Sequence, residues 1–267
     1  MKKIGFVDYY LSEWHANNYP AWIKAANPSF EVTHAWAELD VSPVDGITTA
    51  QWCEKFGVEP CEKIEELCNK CDYIIVLAPS NPEKHLAYAK EVFKCGKPVY
   101  IDKTFAPDLG VASEIFDMAK RYSADFFSTS ALRFADELSE LCGDNNFIIT
   151  GGGSNFDEYC IHIIEIAVKV LRDKVSSADV YKQGNQRICH LTTESGKKAT
   201  LIYAPKLSFT VASEKTDGSS VYVKITSDFF ANLIRDILRF FEDKKASFDT
   251  NETLEVMKIR DTLIYAK

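Results

Sequence analysis

Short apolar runs alternate with helix-periodic segments through the first 129 residues, and this alternation restricts the fold more than any other feature. The clearest run is Tyr73-Ile74-Ile75-Val76-Leu77-Ala78, which stops at Pro79. A run that is apolar at every position belongs to a strand covered on both faces. Similar runs stand at 4–7, 30–36, 99–101 and 125–129. Between them, apolar residues recur at helical spacing over 14–26, 49–56, 62–69, 81–94 and 108–122. Asn27-Pro28, Gly57 and Gly96 close three of these segments, and Thr48 or Thr49 stands where an N-cap belongs. Strands alternating with helices at these intervals predict βαβ units and a parallel sheet.

Around residue 130 the pattern changes. A helix is read over 131–141 and a strand over 147–150. Gly151-Gly152-Gly153 reads as a flexible hinge into a long helix over 156–172. Strands then dominate at 178–183, 187–193, 198–204, 207–213 and 219–226, separated by turn signals such as Gly184-Asn185 and Asp217-Gly218. Two helices close the chain at 229–241 and 252–265. The expectation is an α/β doubly wound parallel sheet over 1–129. An α+β domain with a mainly antiparallel open sheet follows over 130–267, its last helix packing back on the first domain. The helix over 156–172 covers one face of that open sheet. Val180, Ile188, Leu201, Tyr203, Phe209 and Val211 are read on the other, and an exposed apolar face predicts a homo-oligomer, a dimer or tetramer.

The chain carries 31 Lys and Arg against 39 Asp and Glu, a formal net charge of −8. That balance argues against nucleic acid and anionic membranes, which attract basic patches. The apolar stretch after Met1-Lys2-Lys3 is too short for a signal peptide, and no run suits a membrane span. A cytoplasmic location is expected. Eight cysteines, at 53, 61, 68, 71, 95, 142, 160 and 189, read as scattered reduced thiols. Cys68-Asn-Lys-Cys71 has metal-knuckle spacing without a second pair, so no metal site is expected.

Chemistry is expected where strands end, because ligands of open α/β sheets bind at the carboxyl edge. The run Val99-Tyr100-Ile101 ends abruptly in Asp102-Lys103-Thr104. Further on, Gly152-Gly153 precedes Glu158-x-Cys160-x-His162-x-x-Glu165. Glu158 and His162, four apart, share a helical face, with Glu165 on the same side and placed to orient the ring.

Four stretches, in this order, resemble the Gfo/Idh/MocA oxidoreductase family. Ala78-Pro79-Ser80-Asn81-Pro82-Glu83-Lys84-His85 is similar to its strand–Pro–His segment. Gly96-Lys97-Pro98-Val99-Tyr100-Ile101-Asp102-Lys103-Thr104 is similar to its Gly-Lys-x-Val-x-x-Glu-Lys-Pro signature. Gly152-Gly153 with Glu158, His162 and Glu165 resembles its Gly-Gly…Asp-x-Gly-x-His-x-x-Asp helix, and 240–252 its closing helix–loop–helix. The identities depart at Asp102, Thr104, Glu158 and Cys160. The resemblance implies a Rossmann-like first domain and an NAD- or NADP-dependent dehydrogenase. Its substrate would be a small sugar, polyol or related hydroxy compound. Lys103, His162 and Glu158 become the catalytic candidates at an interdomain cleft. Tyr9, Tyr10, Leu11, Glu38, Pro79, Ser80, Asn81, His85 and Asp102 become cofactor-binding candidates, with Arg133 and Tyr159 toward substrate. The chemistry suits them, since an alcohol oxidation needs a base near neutrality and a cation to steady the oxygen.

One stretch departs from that pattern. After the first strand a dinucleotide site carries Gly-x-Gly-x-x-Gly, so that backbone amides reach the pyrophosphate. Here the stretch is Asp8-Tyr9-Tyr10-Leu11-Ser12-Glu13-Trp14-His15, with none of the three glycines. Asp8 and Glu13 add negative charge; one such charge about 4 Å from an anion costs several kcal/mol at an effective dielectric near 20. Glu38 after the second strand suits a ribose hydroxyl and favours NAD. A non-redox binding or regulatory protein of the same fold is therefore the alternative.

Overall fold

The computed structural model describes residues 1–141, 146–215 and 217–265. Two compact units divide the chain, one of 1–129 with 233–250 and one of 130–232 with 251–265.

The first unit is built on a six-stranded sheet. Its strands are β1 (Lys2–Asp8), β2 (Phe30–Ala37), β3 (Glu59–Pro60), β4 (Tyr73–Val76), β5 (Val99–Ile101) and β6 (Phe126–Ser128). They lie in the order β3-β2-β1-β4-β5-β6, every pair parallel. That is the doubly wound arrangement, with its switch point between β1 and β4. The intervening helices are α1 (Trp14–Ala26), α2 (Thr49–Phe56), α3 (Ile64–Lys70), α4 (His85–Phe93) and α5 (Leu109–Tyr122). Local chemistry sets their ends. Thr48 and Gln51 form a capping box on α2, and Gly57 closes it at φ 68°. Asp108 accepts from Val111 N at the start of α5. At Gly5 a Cβ would sit 2.4 Å from Leu67 Cδ2, so the glycine lets α3 lie on β1. The segment read as a helix over 81–94 begins with a 3-10 turn at Pro82–Lys84, because Pro82 starts it.

The second unit holds β7 (Asn146–Gly151), β8 (Val175–Gln183), β9 (Gln186–Thr193), β10 (Lys198–Tyr203), β11 (Thr210–Glu214) and β12 (Ser220–Lys224). Their order is β12-β11-β7-β10-β9-β8. Only β7–β10 is parallel; the other pairs are antiparallel. Helix α6 (Phe156–Leu171) packs on this sheet, and α8 (Glu252–Tyr265) packs on α6. The expected helix over 131–141 is two 3-10 turns, Ala131–Phe134 and Asp136–Leu141. Contrary to expectation, the last helix, α8, stays with the second unit, and it is helix α7 (Phe229–Asp243) that carries the chain back into the first. There Phe241 stacks on Tyr73 at 4.8 Å and Phe240 meets Phe127 edge-on at 4.9 Å.

Two readings are corrected. Leu201, Tyr203 and Val211 are not on the open sheet face; they are buried, at 1% exposure or less. Val180 pairs with the buried Cys189 and shares its side, and the Phe209 ring lies against His162 of α6. Ile188 does face outward, in register with Ile202 and Tyr181. The open face is completed by Ile148, Tyr222 and His190, because strands pair so that opposite residues share a face. The second correction concerns the glycine run. A Cβ at Gly152 would lie 2.3 Å from Ala204 O, and one at Gly153 2.0 Å from Tyr159 Cγ. The glycines admit close packing.

The seven described cysteines are free thiols, six of them buried. Burial pushes Cys53, Cys61 and Cys71 up to about 11. Cys142 lies outside the described residues.

Candidate functional site

In the first unit, the carboxyl edge of the sheet gathers Asp8 from β1, the turn after β4, and Asp102-Lys103 after β5. Asp8 is 1% exposed. Its Oδ1 accepts from Tyr9 N at 2.7 Å and from Ala78 N at 2.9 Å, while Oδ2 is buried without a hydrogen-bond partner. Burial, then the nearby Glu13, raise the Asp8 pKa well above the usual carboxylate range; Asp102 adds to the rise. Ala78 adopts φ 57°, a left-handed conformation costing roughly 1 kcal/mol for a residue with a Cβ. The bond from its N–H to Asp8 helps hold it there. Strain of this kind collects where structure over-determines a functional edge.

Asp102 is also 1% exposed. Tyr100 OH donates to its Oδ1 at 3.0 Å, and His15 Nε2 lies 3.6 Å from Oδ2. Lys103 is half-buried and its Nζ donates to Pro79 O at 3.4 Å. The Lys103–Thr104 peptide is cis. The turn after β1 is closed by the chain itself. Glu13, the N-cap of α1, accepts from His15 N at 2.8 Å and from Ala16 N. Its side chain is 8% exposed and also reaches His15 Nδ1, at 3.2 Å.

The remaining first-unit candidates divide by partner. Glu38 accepts from Lys84 Nζ at 2.5 Å and Tyr88 OH at 2.8 Å; the lysine contact chiefly lowers its pKa. The Tyr9 ring lies under Lys84 Nζ at 4.7 Å and meets the Tyr10 ring edge-on. Leu11 and Pro79 are buried, and Ser80 is exposed. Asn81 Nδ2 donates to Glu83. His85 is fully buried, with Nδ1 2.9 Å from Phe105 O and Nε2 2.5 Å from Leu77 O. Burial lowers its pKa, and its bonds tie α4 to the ends of two segments.

In the second unit the candidates lie on α6. Asn155 caps it, accepting from Glu158 N at 2.9 Å and reaching the Glu158 carboxylate at 3.2 Å. His162 is half-buried. Its Nδ1 lies 2.7 Å from Ser130 Oγ, and its ring is flanked by Tyr159 at 5.7 Å and Phe209 at 6.0 Å. Ser130 also accepts from Leu132 N at 3.3 Å. When Nδ1–H donates to that hydroxyl, the neutral ring keeps its lone pair on Nε2, the form able to take a proton. Arg133 is 4% exposed; Nε bonds Glu165 at 2.5 Å and Nη2 bonds Glu252. The triad ties a 3-10 turn, α6 and α8 together.

Sequence reasoning missed Ser130, and it read Glu13 as repulsion toward a ligand and not as the cap of α1. The signal for Glu13 was present: an acid immediately before a helical run is an N-cap. Ser130 had none, since the contact joins residues 32 apart.

A dinucleotide's pyrophosphate needs free amides at the start of α1. As folded, the turn does not fit one: Glu13 takes the amides of His15 and Ala16, and Asp8 takes those of Tyr9 and Ala78. Among the described residues no His, Cys, Asp and Glu group suits a metal ion, and no helix is long and apolar enough to cross a membrane.

Residues 25–129 match the model of the Gfo/Idh/MocA oxidoreductase family, described as having an NAD-binding Rossmann fold. An uncharacterized oxidoreductase, YhhX of Escherichia coli K12, is 35% identical over 57 residues; the match spans 21% of this chain and 16% of that protein. A dehydrogenase from Clostridium difficile has the same fold, with a TM-score of 0.73 and 17% identity over 100% of this chain and 99% of its own. The UDP-N-acetylglucosamine 3-dehydrogenase of Acidithiobacillus ferrooxidans superposes with a TM-score of 0.78 and 12% identity, covering 99% and 97%. With its six-stranded doubly wound sheet and its mixed second sheet, the chain has the fold of these dehydrogenases, and residues 25–129 are similar to the Gfo/Idh/MocA oxidoreductase family.

Proposed function

We propose that the chain is a cytoplasmic oxidoreductase acting on a hydroxyl group of a small sugar- or polyol-like compound, with NAD or NADP as redox partner. The observation that supports it most is His162, half-buried between two aromatic rings and held at Nδ1 by Ser130. An imidazole fixed at one nitrogen presents the other to a ligand and can take or return a hydroxyl proton. Lys103, at the end of β5, is the group that steadies the substrate oxygen in this proposal, and Glu158 with Tyr159 completes the polar set on α6. The family match over residues 25–129 supports the nicotinamide cofactor, and a sugar-nucleotide dehydrogenase among the structural neighbours agrees with a polyhydroxy substrate. The open face of the second sheet is the proposed contact of a homo-oligomer.

The capped turn before α1 favours a second reading, a non-redox small-molecule binding or regulatory protein of the same fold. Calorimetric titration with NADH and NADPH separates the two. Saturable binding is expected of the oxidoreductase; no binding at millimolar cofactor removes that reading and leaves the second.

A further inference from the structure

The end of α1 is an anion site that already holds an anion. A 13-residue helix presents unsatisfied N–H groups and the positive end of its dipole. Two first-turn amides, of His15 and Ala16, donate to the Glu13 carboxylate. The same carboxylate lies 3.2 Å from His15 Nδ1, so two amides and a ring nitrogen converge on a side chain that is 8% exposed. Asp8 is close enough to Glu13 for the two charges to interact, and its Oδ2 is buried with no hydrogen-bond partner. A buried polar atom without a partner calls for an explanation. Burial, then Glu13, raise the Asp8 pKa well above the usual carboxylate range, and a carboxyl that holds its proton is a hydrogen-bond donor.

We propose that Glu13 is a built-in competitor for phosphate: its carboxylate occupies the donors a dinucleotide's pyrophosphate would use, and a dinucleotide binds the first unit by displacing it. This inference rests on the NAD(P) reading only for the identity of the displacing ligand. Displacement exchanges one anion for another on the His15 and Ala16 amides and offers the new anion the Asp8 carboxyl. No covalent change is involved.

The test is calorimetric titration of the wild type, Glu13→Ser and Glu13→Asp with inorganic pyrophosphate and, separately, NADH. Serine keeps an N-cap hydroxyl for α1 while removing the charge, and aspartate keeps both cap and charge. Thermal unfolding checks that each variant is folded. The expected result is weak binding by the wild type and Glu13→Asp, with both ligands bound about ten-fold or more tightly by Glu13→Ser. Equal affinity across the three proteins overturns the inference while sustaining the NAD(P) reading. Tighter binding of pyrophosphate but not NADH by Glu13→Ser upholds the competitor and rejects NAD(P). Absence of binding of either ligand to Glu13→Ser overturns the inference, because removing the charge then opens nothing.

Discussion

His162 and Ser130 show how a single hydrogen bond decides what a histidine is able to do. Ser130 is 1% exposed and bonded to Leu132 N, so its oxygen is fixed in place. Its contact with Nδ1 turns the ring edge bearing Nε2 into the group available for proton transfer. Ser130→Ala removes that support without altering the packing by more than one oxygen. Turnover of the preferred substrate is expected to fall about ten- to hundred-fold with a small change in KM, in line with the weight of a positioned acid–base group. A kcat equal to the wild type's would show that the serine does not position the ring. Glu13 makes the complementary point. A carboxylate read from sequence as repulsion toward a ligand is, in the folded chain, a cap that the helix requires.

Elements here are placed by a few contacts that sequence patterns do not contain. Five strands of the first sheet were legible, because runs such as 73–78 are apolar at every position and bounded by breakers; β3, two exposed residues ending in Pro60, was not. A cap at Thr48 or Thr49 and a close at Gly57 were legible as local chemistry, and the fold puts the cap on Thr48. The two faces of the second sheet were not. Apolar residues stand on both, and register settles which of Val180 and Ile188 is covered. Arg133 looked like a pocket residue by position, yet it is folded against Glu165 and Glu252. Taking one partner from such a buried set costs about 3–5 kcal/mol. Glu137 is a second clamp of this kind: its carboxylate accepts from Thr226 N, Ser227 N and Ser227 Oγ. Burial opposes its ionisation, but these bonds outweigh it and bring the pKa down to about 2. A depressed carboxylate pKa stabilises the fold above the unfolded value, and the contribution is lost as pH falls through the folded one. Acid unfolding followed by circular dichroism should show this contribution lost between about pH 4.5 and 2, and Glu137→Gln should lower stability at pH 7 by about 1 kcal/mol. Identical stability of the two proteins at pH 7 would contradict the clamp.

At the scale of the molecule, two units carry different halves of the proposed chemistry. The first presents Lys103, Asp102 and the self-capped α1 at the carboxyl edge of its parallel sheet. The second presents His162 with Ser130 on the buried side of its sheet and an open face on the other. Ile148, Tyr181 and Tyr222 are each at least half exposed on or beside that face. Light scattering at micromolar concentration is expected to give a dimer or tetramer, and a monomer would remove the proposal that the face is a contact. The central claim, oxidation of a small hydroxy compound with Lys103 at the reacting group, is tested most directly by cofactor reduction. Absorbance of NADH or NADPH is followed with a panel of sugars and polyols, for the wild type and Lys103→Ala, beside NADH titrations of both. The account predicts turnover by the wild type, its loss in Lys103→Ala, and cofactor affinity largely kept in that variant. Turnover by Lys103→Ala equal to the wild type's would contradict it.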